Sequence, residues 1–557
     1  MKNALLGLIA GLLLMLGGSF FASHVQTSDG VTVEDVRIPL QDGSELSAYL
    51  YTPENATAAN PAPGILAVHG YINSRETQSS FAIEFARRGF VVLALDQSGH
   101  GYSTNTAFAA GFGGPAGLAY LRGLPNVDTS RIGLEGHSMG GWTSLAAAMA
   151  MPDAYNSVAL VGSSTGAPFA APGTTDWPRN LAVIFSTYDE FSTLMWEVDR
   201  AADVADSEKL QSVFGTVDTV VPRQLYGDIE AGTARWLTQP NTTHPGDHLS
   251  FEATADAVTW MDMTLGAPNM LAVDNQVWHL KEAGTLIALI GAAMFAISLF
   301  SALNRVIAFA PSGTVEQSGN GLIVLIAILV GAALPAALFF PLTSLGEHIP
   351  NLGIFRQNIT TQIMAWALGN GLIAGLGLLI SRQFGFRLSP GGLISALITF
   401  GVLFGISAAI SNHLLVDFRF FVVALKPMGS HHWAIFAAYL LPFFVFFYLS
   451  NAAATNLFKG YKSFLTQFSV AWLLSAAGMT VLMAGVYGYL FANGKLPAFA
   501  DPLFSIVGMQ FVPVLTFTAL ITVASWRSAR AVLPGALLSA LIITWYIVAG
   551  QATHHAL

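Results

Sequence analysis

Residues 131–142 read Arg131-Ile-Gly-Leu-Glu-Gly-His-Ser138-Met-Gly-Gly-Trp142. The opening Arg131 to Glu135 has the length and apolar content of a short buried strand, and Trp142 to Ala150, rich in Ala and Leu, reads as a helix. Between them Gly136-His137-Ser138-Met139-Gly140 fits G-x-S-x-G, the spacing of a nucleophile on a sharp strand-to-helix turn. The chemistry needs that spacing. The turn strains the serine backbone, and glycines two positions to either side leave room for the neighbouring elements. The hydroxyl is then presented at a helix N-terminus, where backbone N–H groups favour developing negative charge. Ser138 is the candidate nucleophile.

Upstream, Gly64 to Val68 is a buried-strand run that ends in His69-Gly70-Tyr71. A second run, Phe90 to Leu95, ends in Asp96-Gln-Ser-Gly-His-Gly-Tyr-Ser103, and a helix is expected between them over Thr77 to Arg88. The turns at 69–70 and 96–103 and the Gly136–Gly141 segment together resemble the α/β-hydrolase superfamily, especially its serine aminopeptidase and monoglyceride-lipase-like branch. Val127 to Leu134 is also similar to the dienelactone-hydrolase and prolyl-oligopeptidase branches. The resemblance covers about residues 30–265 and implies the α/β-hydrolase fold, but one fold hosts many chemistries and no substrate follows from it.

The resemblance implies the chain order nucleophile, acid, histidine. Leu181 to Ser186 is a strand run followed by Thr187-Tyr-Asp189-Glu190, so Asp189 matches the acid position, with Glu190 as the nearby alternative. Asp218 is a second alternative, but no comparable strand run precedes it. Asn241 to Phe251 holds His244 and His248. The superfamily places its histidine just before the last helix, expected over Phe251 to Leu265, which selects His248 and leaves His244 as a loop residue. In that scheme His248 takes the proton of Ser138 and Asp189 orients the imidazole. The backbone N–H groups of Met139 and Tyr71 form the oxyanion hole implied by the same resemblance. His69, His100 and His137 are expected to shape turns beside the site.

The chain has 557 residues, 53% of them hydrophobic and only 10% charged, but the excess is uneven. Residues 24 to 280 carry mixed, soluble-type patterning. Beyond 285 come eight apolar runs, near 285–303, 321–341, 362–381, 391–411, 433–451, 467–491, 503–525 and 533–550. About 20 apolar residues in a helix cross a hydrocarbon core about 30 Å thick, so each run reads as a transmembrane helix. Met1-Lys2 precedes another apolar run, Ala4 to Ala22. Its length and the weak cleavage site at Phe21-Ala22-Ser23 favour an uncleaved anchor over a signal peptide. The expected organisation is an anchor or signal over 1–23, an α/β-hydrolase domain over 24–270 and a membrane domain over 285–557.

Basic residues in short loops set the orientation. With Lys2 inside, the inside loops also hold Arg305, Arg382, Arg387, Lys459, Lys462, Arg527 and Arg530; the outside loops hold Arg356, Arg419, Lys426 and Lys495. That is eight against four, which places the hydrolase domain on the extracytoplasmic side of the cell membrane.

A net charge of −9 without a basic run argues against nucleic acid, and the absence of cysteine excludes disulfides and a thiolate nucleophile. No metal-ligand spacing links the histidines, among them His348, His413, His431, His432, His554 and His555, and no cofactor is implied. Asp417 and Arg419 are expected to form an ion pair near a membrane edge. Only about 18 residues separate the strand ending near Ser163 from the acid-bearing strand, too few for a large lid, so a small cap or the membrane domain itself would bound the pocket. The expected reaction is a two-step acyl transfer through acyl-Ser138, on a lipid-like or small amphipathic ester near the bilayer. A serine peptidase and an acyltransferase or transport-coupled system remain open alternatives, as does the oligomeric state.

Overall fold

The apolar runs of the first half become the middle of a nine-stranded sheet. Its strands are β1 (Val31–Pro39), β2 (Glu45–Pro53), β3 (Ala62–Val68), β4 (Val91–Leu95), β5 (Val127–His137), β6 (Ser157–Val161), β7 (Leu181–Ile184), β8 (Leu225–Tyr226) and β9 (Arg235–Thr238). They lie in the order β1-β2-β4-β3-β5-β6-β7-β9-β8. The six from β4 to β9 in that row are parallel, while β1, β2 and β8 pair antiparallel at the two edges. The computed structural model describes residues 2–308, 321–383, 385 and 387–556.

Every residue of β3, β4, β6 and β7 is buried, as parallel strands covered on both faces require. Alternation divides them between two cores. Leu66, Val68, Leu93, Leu134 and Leu160 face the helices Gly114–Arg122 and Met139–Ala150, whereas Ile65, Ala67, Val92, Ala159 and Val161 face Ser79–Arg87 and Phe251–Leu265. The expected helix over Thr77 to Arg88 is a 3₁₀ turn, Arg75–Gln78, running into the α-helix Ser79–Arg87.

Among the described residues, seven helices are long and apolar enough to cross a membrane: Lys2–Gln26, Trp278–Ile307, Asn358–Ile380, Pro390–Leu414, His432–Phe458, Pro502–Ala529 and Leu533–Gly550. Two bent pairs, Val324–Ala337 with Phe339–Gly346 and Phe464–Ser475 with Ala477–Asn493, bring the number to nine. The first helix lies against Trp278–Ile307 through glycines. A Cβ on Gly18 would sit 2.5 Å from the Gly284 carbonyl oxygen, and one on Gly291 would sit 2.7 Å from that of Gly11. Small residues permit this backbone approach, the usual way apolar helices associate where no water drives them together.

The helical block docks on the sheet through a buried ion cluster. A hairpin, Phe418–Phe420 with Val423–Leu425, connects two of the long helices. It carries Arg419, whose guanidinium lies 3.5 Å from Glu76 and donates twice to Asp417 at 2.5 Å. Lys426 also pairs with Glu76 and sits over the Tyr102 ring, 4.1 Å from its centroid. The expected Asp417–Arg419 pair is thus one part of a larger contact. Farther along, Lys495 reaches Asp199 at 2.9 Å. The C-terminal tail runs over the Asp96–Ser103 turn, where Thr553 N donates to Gly99 O at 2.8 Å and Ala107 N donates to Thr553 O at 2.7 Å.

Candidate active site

Ser138 occupies the single residue between β5 and the helix Met139–Ala150, with φ 55° and ψ −123°. A non-glycine residue holds such a conformation only when its surroundings fix it. They do: Ser138 N donates to Val161 O at 2.8 Å, and Gly141 N donates to Ser138 O at 2.9 Å. The flanking glycines are sterically obligatory. A Cβ on Gly136 would lie 2.2 Å from the Gly140 carbonyl carbon, and one on Gly140 would lie 2.1 Å from the Val68 carbonyl oxygen. Met139 opens the helix, where its N–H has no intrahelical acceptor.

The loops after β7 and β9 run side by side. Thr187 N donates to Pro240 O at 2.9 Å and Tyr188 N to Thr242 O at 3.0 Å. This brings Asp189 to His244: Nδ1 lies 2.8 Å from Asp189 Oδ2, and His244 N donates to Glu190 Oε2 at 2.8 Å. Asp189 Oδ1 accepts from Phe191 N at 2.8 Å, so both carboxylate oxygens are engaged. His137 Nε2 donates to His244 O at 2.9 Å and holds the loop from below. Burial lowers the His244 imidazole to about 4, keeping it neutral and able to accept a proton. Burial, reinforced by the Asp247 carboxylate, raises Asp189.

The histidine expected from the sequence, His248, is not brought to Asp189. Its ring is buried against His137, with centroids 4.1 Å apart, and neither nitrogen has a hydrogen-bond partner among the described residues. A 3₁₀ turn, Pro245–Leu249, explains the exchange. At three residues per turn, positions four apart point in different directions, so His244 and His248 cannot both face Asp189. Position relative to the last helix pointed to His248, whereas proximity to the end of β9 points to His244, the one that meets Asp189. Of the alternative acids, Glu190 touches the His244 backbone, while Asp218 is exposed and does not line the cavity that holds Ser138 and His244. His69 and His100 serve turns: Gln97 N donates to His69 Nε2 at 3.2 Å, and His100 Nδ1 lies 2.9 Å from Ser98 O.

Ser138, His244, Met139 and Tyr71 line one cavity of about 370 Å³. Its floor and walls include Trp142, Phe108, Phe169 and Met195. The roof belongs to the helical block, with Asn358, Ile359 and Gln362 from one helix, Leu503, Ile506 and Gln510 from another, Phe421 from the hairpin and His554 from the tail. His554 Nε2 lies 2.8 Å from the Tyr71 hydroxyl. Among the described residues lining this cavity there is no Asp, Glu, Lys or Arg. No group of three or more potential metal-ligating side chains occurs among the described residues.

A family model described as serine aminopeptidase, S33, matches residues 59–194. The chain carries an α/β-hydrolase domain. The matched segment runs from β3 through the elbow to the residues after Asp189, so it contains the proposed nucleophile and the acid-bearing loop. No protein of curated function matches the sequence. Among solved structures, a hypothetical protein from Pseudomonas aeruginosa is 27% identical with a TM-score of 0.22, over 24% of this chain and 43% of its own. An esterase from Pyrococcus furiosus is 17% identical with a TM-score of 0.32, over 42% of this chain and 91% of its own. An S-formylglutathione hydrolase from Agrobacterium tumefaciens is 16% identical with a TM-score of 0.31, over 43% of this chain and 98% of its own. The matched region spans less than half of the Pseudomonas protein.

Proposed function

We propose that the protein is a multi-pass membrane serine hydrolase that cleaves an uncharged amphipathic ester through an acyl-Ser138 intermediate. The observation that carries this reading is Ser138 on a strained elbow sharing one cavity with His244, itself bonded to Asp189. His244 Nε2 removes the Ser138 proton as Oγ attacks the carbonyl carbon. The N–H groups of Met139 and Tyr71 receive the oxyanion, and Asp189 stabilises the imidazolium through Nδ1–H. His244 then protonates the departing alcohol. Water repeats the sequence in reverse and frees the acid. An aminopeptidase would need a carboxylate to pair with a peptide's terminal ammonium, and none of the described lining residues supplies one.

The bilayer reading rests on the long apolar helices and on the basic-residue asymmetry. Three of the four basic residues assigned to outside loops, Arg419, Lys426 and Lys495, reach carboxylates of the hydrolase domain. These loops and the hydrolase domain therefore lie on one side, which the charge rule makes extracytoplasmic. The cavity roof comes from the ends of membrane helices, so an ester concentrated at the bilayer surface is the natural substrate.

Labelling intact cells with a membrane-impermeant fluorophosphonate, wild type beside Ser138→Ala, tests nucleophile and orientation together. Labelling of the wild type alone is expected. Labelling only after lysis would invert the topology, and equal labelling of both would remove Ser138 from the mechanism.

A further inference from the structure

The cavity opposite Ser138 is apolar except for a few neutral polar groups, and two of these come from helices of the membrane block. Gln362 is 6% exposed, and its Oε1 has no hydrogen-bond partner among the described residues. Gln510 is 7% exposed; its Oε1 accepts from the Tyr546 hydroxyl, which fixes the amide with its NH₂ as the free end. A third group, the buried Asn73 Oδ1 on the hydrolase side, is also unpartnered. All three side chains line the cavity. A buried acceptor without a donor is destabilising, and a ligand able to donate would remove that cost. Gln510 presents a free NH₂ donor, and the Gln362 amide, with neither end bonded among the described residues, presents its NH₂ or, turned about its last bond, its unpartnered oxygen; together they match a group that both donates and accepts, as an alcohol does.

We propose that Gln362 and Gln510 form a subsite for a hydroxyl group of the substrate, so that the enzyme favours neutral, hydroxyl-bearing esters over plain and ionised ones. The proposal rests on the reading of Ser138 as nucleophile. Ionised substrates are disfavoured because desolvating a charge is costly without an opposite charge, and none of the described lining residues provides one. His554 does not alter this, since burial brings its imidazole down to about 4. Plain esters are disfavoured because they leave the buried amides unpaired, the arrangement by which enzymes reject substrates lacking an expected hydroxyl.

The test uses the full-length protein in nanodiscs and two matched ester series. The acyl series is p-nitrophenyl hexanoate with its 6-hydroxy and 6-carboxy analogues. The alcohol series is hexyl acetate, 6-hydroxyhexyl acetate and 6-acetoxyhexanoate. In one series kcat/KM for the hydroxy member should exceed the plain member at least tenfold and the ionised member at least 100-fold. Gln362→Met and Gln510→Met, each checked for a cooperative melt, should bring the hydroxy-to-plain ratio towards one. Gln362→Lys should raise the ionised member relative to the plain one. If Ser138 labels and plain esters turn over while the wild-type ratio stays near one in both series, the subsite is overturned and the hydrolase reading stands. If both Met variants keep the wild-type ratio, these amides are not the selecting groups. Absence of labelling and of all turnover would overturn the hydrolase reading itself.

Discussion

His244 and His248 are four residues apart and equally buried, yet only one is hydrogen-bonded to Asp189. If His244 is the base, His244→Gln lowers kcat on the order of 10⁶-fold, the loss typical of a disabled triad histidine, whereas His248→Gln stays within about tenfold of wild type. Ester turnover by the two purified variants decides this, and the reverse ranking would restore His248. The elbow at Ser138 was legible because its geometry is local: G-x-S-x-G encodes its own turn. Which histidine meets Asp189 was not, because that depends on how a 3₁₀ turn aims two side chains. Glu190 offers a second test at this scale. Burial first, then the neighbouring Asp189, pushes its carboxyl up to about 8. A carboxyl raised above its unfolded value of about 4.5 adds stability below that pH and loses it as pH rises towards 8. Glu190→Gln, which keeps the shape without the titration, should therefore melt higher than wild type at pH 8, by the equivalent of several kcal/mol at most, and much closer to it at pH 4.5. An unchanged difference between the two pH values would mean that Glu190 is ionised in the fold.

The eight apolar runs read from the sequence all fall on helices of the block, because continuous apolar length is a one-dimensional signal. Bends are not. The runs at 321–341 and 467–491 each break into two helices, at angles of 46° and 55°. Pro335 lies just before the first break and supplies a local reason for it, since proline removes a helix hydrogen bond. The second break, at Ala476, has no such marker. The first helix of the chain poses a different question, whether it stays attached. Its glycines meet those of Trp278–Ile307 at backbone distance, and Met15 and Ala22 are fully buried. A helix packed this closely is expected to be a permanent part of the fold. The intact mass of purified protein should therefore include residues 2–26. Gly18→Leu, which would drive a side chain into the Gly284 carbonyl, should lower the melting temperature by several degrees. A mature chain beginning near Ser23 would refute the anchor.

The cavity belongs to neither half of the molecule alone, and this was the least legible feature of the sequence. The short span between Ser163 and the acid-bearing strand left little room for a large lid, but nothing in one dimension specifies which helix ends close the roof. The Glu76 cluster holds the two halves in register and makes their coupling testable. Burial by itself would raise this carboxyl, but Lys426, Arg419 and Arg75 around it hold it well below the usual carboxylate range. Because its folded value lies below the unfolded one, the stability it contributes is present above about pH 4.5 and is lost as pH falls below that. Glu76→Gln should leave Arg419 and Lys426 buried with less compensation, a loss of about 3–5 kcal/mol when one partner of a buried pair is removed. Glu76 does not line the cavity, so Ser138, His244 and Asp189 keep their local contacts in this variant. If the roof is part of the active site, Glu76→Gln should raise KM for amphipathic esters far more than it slows fluorophosphonate labelling of Ser138. Removing the stranded charge as well, in Glu76→Gln with Lys426→Met, should recover part of the lost stability. Proportional loss of labelling and ester turnover would mean instead that the cluster supports the hydrolase fold alone and that the membrane helices do not shape the pocket.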